Sequence, residues 1–304
     1  MKHKKKLVTA ATAFGITSAA ALYAERKILS SLFERDDQWM KGARDGKRYA
    51  YEWFDDKGAN HRYIKAHDHV RLHAYELPQS IPTHRYMIML HGFHGYVKEL
   101  SYEAKHFYEM GYHLILPSMR AHGMSEGAMI TMGILEHLDV CRWMEEVRRT
   151  DPQAQITLYG VSMGAATTLL TLAKPQGEWV RAAIADCPYA RVIDVFDYYL
   201  SKRLHLPYRW YLYACNELVY HKSHISLKEA RPIDVVDQIK TPLLLIHGDA
   251  DDLVPYSMMD ELYQKVNGPK QKLTIPHAGH ALSSSYDPDT YWQCVDAFLK
   301  RYSL

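Results

Sequence analysis

Five short apolar runs, each closing on a glycine, proline or aspartate, govern what this 304-residue chain can become. They read YMIMLHG (86–92), YHLILP (112–117), QITLYG (155–160), VRAAIADCP (180–188) and TPLLLIHGD (241–249). Runs of this length that stay apolar throughout suit strands covered on both faces, the situation of a parallel sheet. Helix-like stretches separate them near 100–110, over 134–149 and after Gly160. Strands alternating with helices predict an α/β fold, a mostly parallel sheet with helices on both faces.

The ends of the sheet read differently. RYIKAHDHVRLHAYEL (62–77) alternates and contains a turn, which predicts an antiparallel hairpin at one edge. QKLTIP (271–276) is expected to be the last strand and 289–302 a closing amphipathic helix. Residues about 191–235 carry helical patterns rich in Tyr, Phe and Trp but no strand. That length predicts a helical cap inserted before the penultimate strand, with a long crossover as the simpler alternative. Residues 31–304 are thus expected to form one domain that includes the cap.

Composition narrows the function classes. Hydrophobic residues make up 47% and charged residues 24%, an ordinary globular balance that argues against disorder. Four of the 37 basic residues are Lys2, Lys4, Lys5 and Lys6, so the remainder carries slightly more acid than base. No basic face is implied, and no nucleic-acid partner is expected. Cys141, Cys187, Cys215 and Cys294 lie far apart without metal spacing, and most are expected to be buried free thiols. His67 and His69, and His221 with His224, lack a third ligand at sensible spacing, so no metal site is expected.

The first 30 residues stand apart. MKHKKK precedes a charge-free stretch of 18 residues, Leu7 to Ala24. That length just suffices to cross a bilayer as a helix, with the lysines held on the cytoplasmic side. An uncleaved anchor would put the rest of the chain outside the cytoplasm. Ala19-Ala20-Ala21 offers a signal-peptidase site, so secretion after cleavage is the alternative, and a soluble amphipathic leader is a third.

The third apolar run carries the chemistry. GVSMG (160–164) fits G-x-S-x-G between a strand and an apolar helix. A sharp turn there presents the Ser162 hydroxyl outward and leaves room only for glycine two residues to either side. Serine needs a base to take its proton and an acid to hold that base, in the chain order Ser, Asp or Glu, His. HGDADDLVP and IPHAGHALS follow in that order, each after a strand. Residue chemistry alone leaves Asp249, Asp251 and Asp252 open.

HGFHG, RAHGMSEG, GVSMGAA, IADCP, HGDADDLVP and AGHALS together resemble the blocks of the α/β-hydrolase superfamily, in the right order, from about residue 86 to the C-terminus. The pattern is similar to the bacterial membrane-anchored Bem46-like serine hydrolases. The resemblance implies a triad of Ser162, Asp251 and His280, with Asp186 as the fallback acid and His277 as a loop neighbour. It also implies oxyanion donors from the backbone N–H groups of Phe93 and Met163. His91 is expected to brace the loop and His94 to approach substrate. Arg120 and His122 would order loops, and Ser118 stands where the family has Asp. The implied activity is acyl ester hydrolysis through an acyl-enzyme, with no metal or organic cofactor. The aromatic cap favours a small acyl ester or lipid-like substrate over a peptide. Acyl transfer, thioester or amide cleavage and peptidase action use the same machinery, and a membrane-tethered binding module is the non-enzyme alternative.

Overall fold

Burial of the apolar runs splits residue by residue. In Arg85–Leu90, Ile88 and Leu90 join one core cluster while Met87 and Met89 join another. Leu243 and Leu245 of Leu243–Gly248 divide from Leu244 and Ile246 in the same way. Successive side chains of a strand point to opposite faces, so each run must be apolar throughout to feed two cores.

The computed structural model describes residue 33, residues 48–204 and residues 209–303. Helix α1 (Arg48–Asp56) precedes the hairpin β1 (Asn60–Lys65) and β2 (Arg71–Leu77). Then follow β3 (Arg85–Leu90), α2 (Ser101–Glu109), β4 (His113–Ser118), α3 (Glu136–Thr150), β5 (Gln155–Val161), α4 (Met163–Leu172) and β6 (Val180–Asp186). Helices α5 (Val192–Leu204) and α6 (Arg209–Ser223) lead to β7 (Leu243–Gly248), α7 (Ser257–Lys265), β8 (Lys270–Ile275), α8 (Ser283–Tyr286) and α9 (Pro288–Tyr302). The eight strands lie in the order β1-β2-β4-β3-β5-β6-β7-β8. β1 and β2 pair antiparallel, as does β2 with β4, and every other pairing is parallel. This is the α/β-hydrolase fold.

The helices follow from local chemistry. Helix α3 buries Val140, Trp143, Met144 and Val147, one stripe at helical spacing, and carries Glu136 and Asp139 in its first turn with Arg148 and Arg149 in its last. Those charges complement the helix dipole. Helix α9 starts at Pro288 behind Asp287, whose side chain accepts the Thr290 N–H, and buries Tyr291, Val295, Phe298 and Leu299.

The segment expected to form a cap is helical between β6 and β7, as α5 and α6 with short 3₁₀ turns. Among the described residues no helix is long and apolar enough to cross a membrane. The charge-free stretch 7–24 and its neighbouring lysines lie outside the described residues. Cys141 and Cys187 are buried free thiols and Cys294 is half-buried. The side chain of Cys215 lies outside the description.

Candidate active site

Close approach of β3, β5 and α4 dictates the glycines. A Cβ on Gly160 would come within 2.7 Å of the Ala165 nitrogen, and one on Gly164 within 2.6 Å of the Leu90 carbonyl carbon. Only a hydrogen fits at either position. Between them Ser162 adopts φ +56°, a left-handed conformation that the hydrogen bond from its N–H to the Asp186 carbonyl (2.8 Å) helps to hold. The turn leaves Ser162 half-exposed while Met163 is fully buried.

The structure brings Ser162, His280 and Asp251 into one line. His280 Nε2 lies 2.8 Å from Ser162 Oγ, and its Nδ1 lies 2.7 Å from Asp251 Oδ2. A proton on Nδ1, shared with the carboxylate, leaves Nε2 free to accept from the serine hydroxyl. His280 stands on the loop after β8, next to Ala281 at φ +56°.

Asp251 is buried and surrounded by donors. Its Oδ1 accepts the backbone N–H groups of Leu253 (2.9 Å) and Val254 (2.8 Å). Its Oδ2 accepts from His247 Nε2 at 3.0 Å as well as from His280. Burial alone would raise the carboxyl, but the hydrogen bonds from His247 and His280 win and hold it well below the usual carboxylate range. His247 also reaches the Val254 carbonyl at 3.1 Å, so one buried ring pins the turn that carries the acid. Sequence reasoning missed His247. Its only signal was a histidine at the end of a strand, four residues before the acid.

Asp186, the fallback acid, turns elsewhere. Its Oδ2 accepts from Tyr291 Oη at 3.1 Å, and Tyr291 in turn lies 3.1 Å from Tyr159 Oη. Burial pushes the Asp186 carboxyl up to about 7, against the opposing influence of His247 and Tyr291. The imidazole of His280 pairs with Asp251 instead.

The loop after β3 lies beside Ser162. The Cβ position of Gly92 is 3.5 Å from Ser162 Cβ, and Phe93 follows it directly. Met163 opens α4, where the N–H has no carbonyl a turn earlier to accept it. His91 braces this loop: its Nε2 accepts the Met119 N–H at 3.0 Å and its Nδ1 donates to the Gly92 carbonyl at 2.9 Å. Desolvation lowers the His91 ring to about 4, so it stays neutral. His94, at φ +51°, packs its ring tilted against that of Phe93, with centroids 4.1 Å apart. Phe93 also packs on Phe33 at 5.9 Å, and Phe33 on Phe196 of α5 at 5.7 Å.

Arg120 is a buried clamp. Its Nε and Nη2 bind Asp139 at 2.8 and 2.7 Å, and its Nη1 binds Asp68 at 2.9 Å. His122 Nδ1 donates to the Arg120 carbonyl at 2.9 Å. Ser118, in the position where the resemblance expects Asp, meets His73 Nδ1 at 3.1 Å. His277 lies apart from the Ser162–His280–Asp251 line and donates its backbone N–H to Asp249 Oδ1 at 2.5 Å. Among the described residues, three His, Cys, Asp or Glu donor atoms converge closely only at Cys187, Asp251 and His280.

A model of the prolyl oligopeptidase family matches residues 133–303, over half of the chain and inclusive of Ser162, Asp251 and His280. The Bacillus subtilis protein YqkD is 31% identical over 198 residues, which span 64% of this chain and 64% of YqkD. The match therefore takes in less than two thirds of that relative's length. Among solved structures, the Pyrococcus furiosus esterase Pf2001 superposes with a TM-score of 0.66 at 23% identity, over 82% of this chain and 95% of the esterase. Est1E of Butyrivibrio proteoclasticus, solved with ferulic acid bound, gives 0.63 at 21% identity over 79% and 98%. These likenesses carry the fold.

Proposed function

The chain belongs to the prolyl oligopeptidase family, within the α/β-hydrolase superfamily, and on that premise we propose that this serine hydrolase cleaves carboxylic esters through an acyl-enzyme on Ser162. The observation that carries the proposal is the unbroken path from Ser162 Oγ through His280 to Asp251, with spans of 2.8 and 2.7 Å.

In this reading Ser162 Oγ attacks the acyl carbonyl as its proton passes to His280 Nε2. Asp251 holds the imidazolium that results and fixes the ring orientation. The tetrahedral oxyanion receives the backbone N–H groups of Phe93 and Met163, a contribution on the order of 3 kcal/mol per donor. His280 returns the proton to the leaving alcohol. Water then enters, loses a proton to His280, attacks the acyl carbon and releases the acid with Ser162 regenerated.

The rings of Phe33, Phe93 and Phe196 support an apolar acyl group beside the oxyanion loop. The family match favours a second reading, cleavage of a peptide bond by the same groups. A chain-length series of p-nitrophenyl esters run beside thioester and peptide controls decides between the two. Fluorophosphonate should label the wild-type protein at Ser162 and leave Ser162→Ala unlabelled. Equal labelling of both would sink the proposal, and labelling of neither would favour a binding module.

The stretch 7–24 supports placement as a Bem46-like membrane anchor with the hydrolase outside the cytoplasm. Full-length protein should then sediment with membranes, whereas a soluble product starting near Leu22 would establish secretion after cleavage.

A further inference from the structure

Beside the Asp251–His280 pair lies a thiol for which the proposed reaction has no use. Cys187 directly follows β6, is 1% exposed, and holds φ +49° while its N–H donates to the Ile246 carbonyl at 2.8 Å. Its Sγ, a carboxylate oxygen of Asp251 and a ring nitrogen of His280 all lie within 4.8 Å of one another. Sheet order explains the meeting. Asp186 pairs with Ile246 across β6 and β7, so the residue after one strand faces the turn after the other.

We propose that Cys187, Asp251 and His280 form a binding site for a thiophilic divalent cation, Zn²⁺ by its chemistry, and that occupancy switches the hydrolase off. Thiolate sulfur, imidazole nitrogen and carboxylate oxygen are the donors zinc prefers, at about 2.0–2.3 Å, with a fourth position left to water. Two of the three ligands are already held. The backbone of Cys187 is tied to β7, and Asp251 is gripped by Leu253, Val254 and His247. His280 offers the route of entry, since 17% of its side chain meets solvent.

Binding rearranges protons in a defined way. The cation takes the Nδ1 lone pair, so the proton held there moves to Nε2, and the Cys187 thiol releases its proton to solvent. The Nε2–H then faces Ser162 Oγ, and the ring no longer accepts the serine proton. Inhibition therefore rests on the triad reading above, whereas cation binding does not.

Cd²⁺ gives a direct readout because cadmium thiolates absorb in the ultraviolet. The full-length protein should bind one equivalent with that band, and Ser162→Ala should bind it equally. Cys187→Ser should lose the band and His280→Ala should weaken it, each with an affinity loss of about 100-fold or more. Zinc should inhibit ester turnover reversibly by chelator, with about 100-fold more required for Cys187→Ser. Unaltered Cd²⁺ affinity in either Cys187→Ser or His280→Ala overturns the proposal. A readout on the unsubstituted protein guards against misfolded variants: the His280 Nδ1–H proton resonance should vanish with saturating zinc, and its persistence also overturns the proposal. Cd²⁺ binding through these ligands in a metal-free protein without ester turnover would support the site while sinking the hydrolase reading.

Discussion

Replacement of Asp251 by asparagine is the sharpest perturbation of the triad, because the structure dictates how the amide must sit. The carboxylate accepts four donors, Leu253 and Val254 N–H on Oδ1 and the two imidazoles of His247 and His280 on Oδ2. An amide has one accepting end and one donating end. With its NH₂ toward Leu253 and Val254, donors would face donors that cannot change, at a cost of about 1–3 kcal/mol for each unpaired group. With its NH₂ toward the rings, His280 can answer by shifting tautomer, while the Nε2–H of His247 can turn to the Val254 carbonyl alone. The amide of the Asp251→Asn variant therefore settles that way, His280 accepts through Nδ1, and its Nε2 carries a proton that points at Ser162. The base is lost with the geometry intact. The expected fall in kcat is about 10⁴-fold, or about 5.4 kcal/mol of barrier. Hydrolysis of a p-nitrophenyl ester measures it, with fluorophosphonate labelling rate as an independent readout and near-ultraviolet circular dichroism as the check on folding. Near-wild-type turnover would refute the reasoning, and a larger loss in Asp186→Asn would move the acid to that position.

Gly164→Ala should cost at least about 3 kcal/mol in thermal or urea unfolding, because its Cβ would sit 2.6 Å from the Leu90 carbonyl carbon and 2.8 Å from the His91 oxygen, both backbone. Turnover should fall with it, since those residues lead into the Phe93 loop. Gly279→Ala, whose Cβ would find only Leu282 Cδ1 at 3.5 Å, should be tolerated and serves as the control. Acid should unfold the protein early. Desolvation lowers His73, His91 and His137 from 6.5 to about 4, so between those pH values the unfolded chain binds protons that the folded chain refuses. At pH 5 this removes about 2 kcal/mol per histidine relative to neutral pH. The raised Asp186 carboxyl offsets part of this by taking up a proton in the folded state over the same range. A urea midpoint that does not drop between pH 7 and pH 5 in Asp186→Asn would therefore contradict the assignment of these rings as buried and neutral.

The sheet was legible because its central strands are buried on both sides, and two-sided burial leaves a sequence signature that needs no tertiary knowledge. The hairpin was legible for the opposite reason, since the edge strand β1 keeps an exposed face and alternates. Helices α1 and α7 went unassigned. Helix α7 buries only Met258, Met259 and Leu262, an apolar stripe of a single turn. So short an apolar stripe gives periodicity too little length to register.

The turn after β7 shows where residue chemistry stops and packing begins to decide. Asp249, Asp251 and Asp252 are equivalent as residue types, and spacing from a resemblance singled out Asp251. The structure gives a physical reason for their different fates. Asp249 is exposed and spends its Oδ1 on the His277 N–H, which ties down the loop that bears His280. Asp252 is exposed, while Asp251 turns inward to the two backbone donors and two imidazoles described above. Cys187 does not announce itself in sequence, because it acquires its neighbours only when β6 and β7 pair. What the chain encodes locally is a nucleophile on a strained turn. What only the assembled sheet supplies is the His280 ring beside the acid and the thiol that gives a cation a place there.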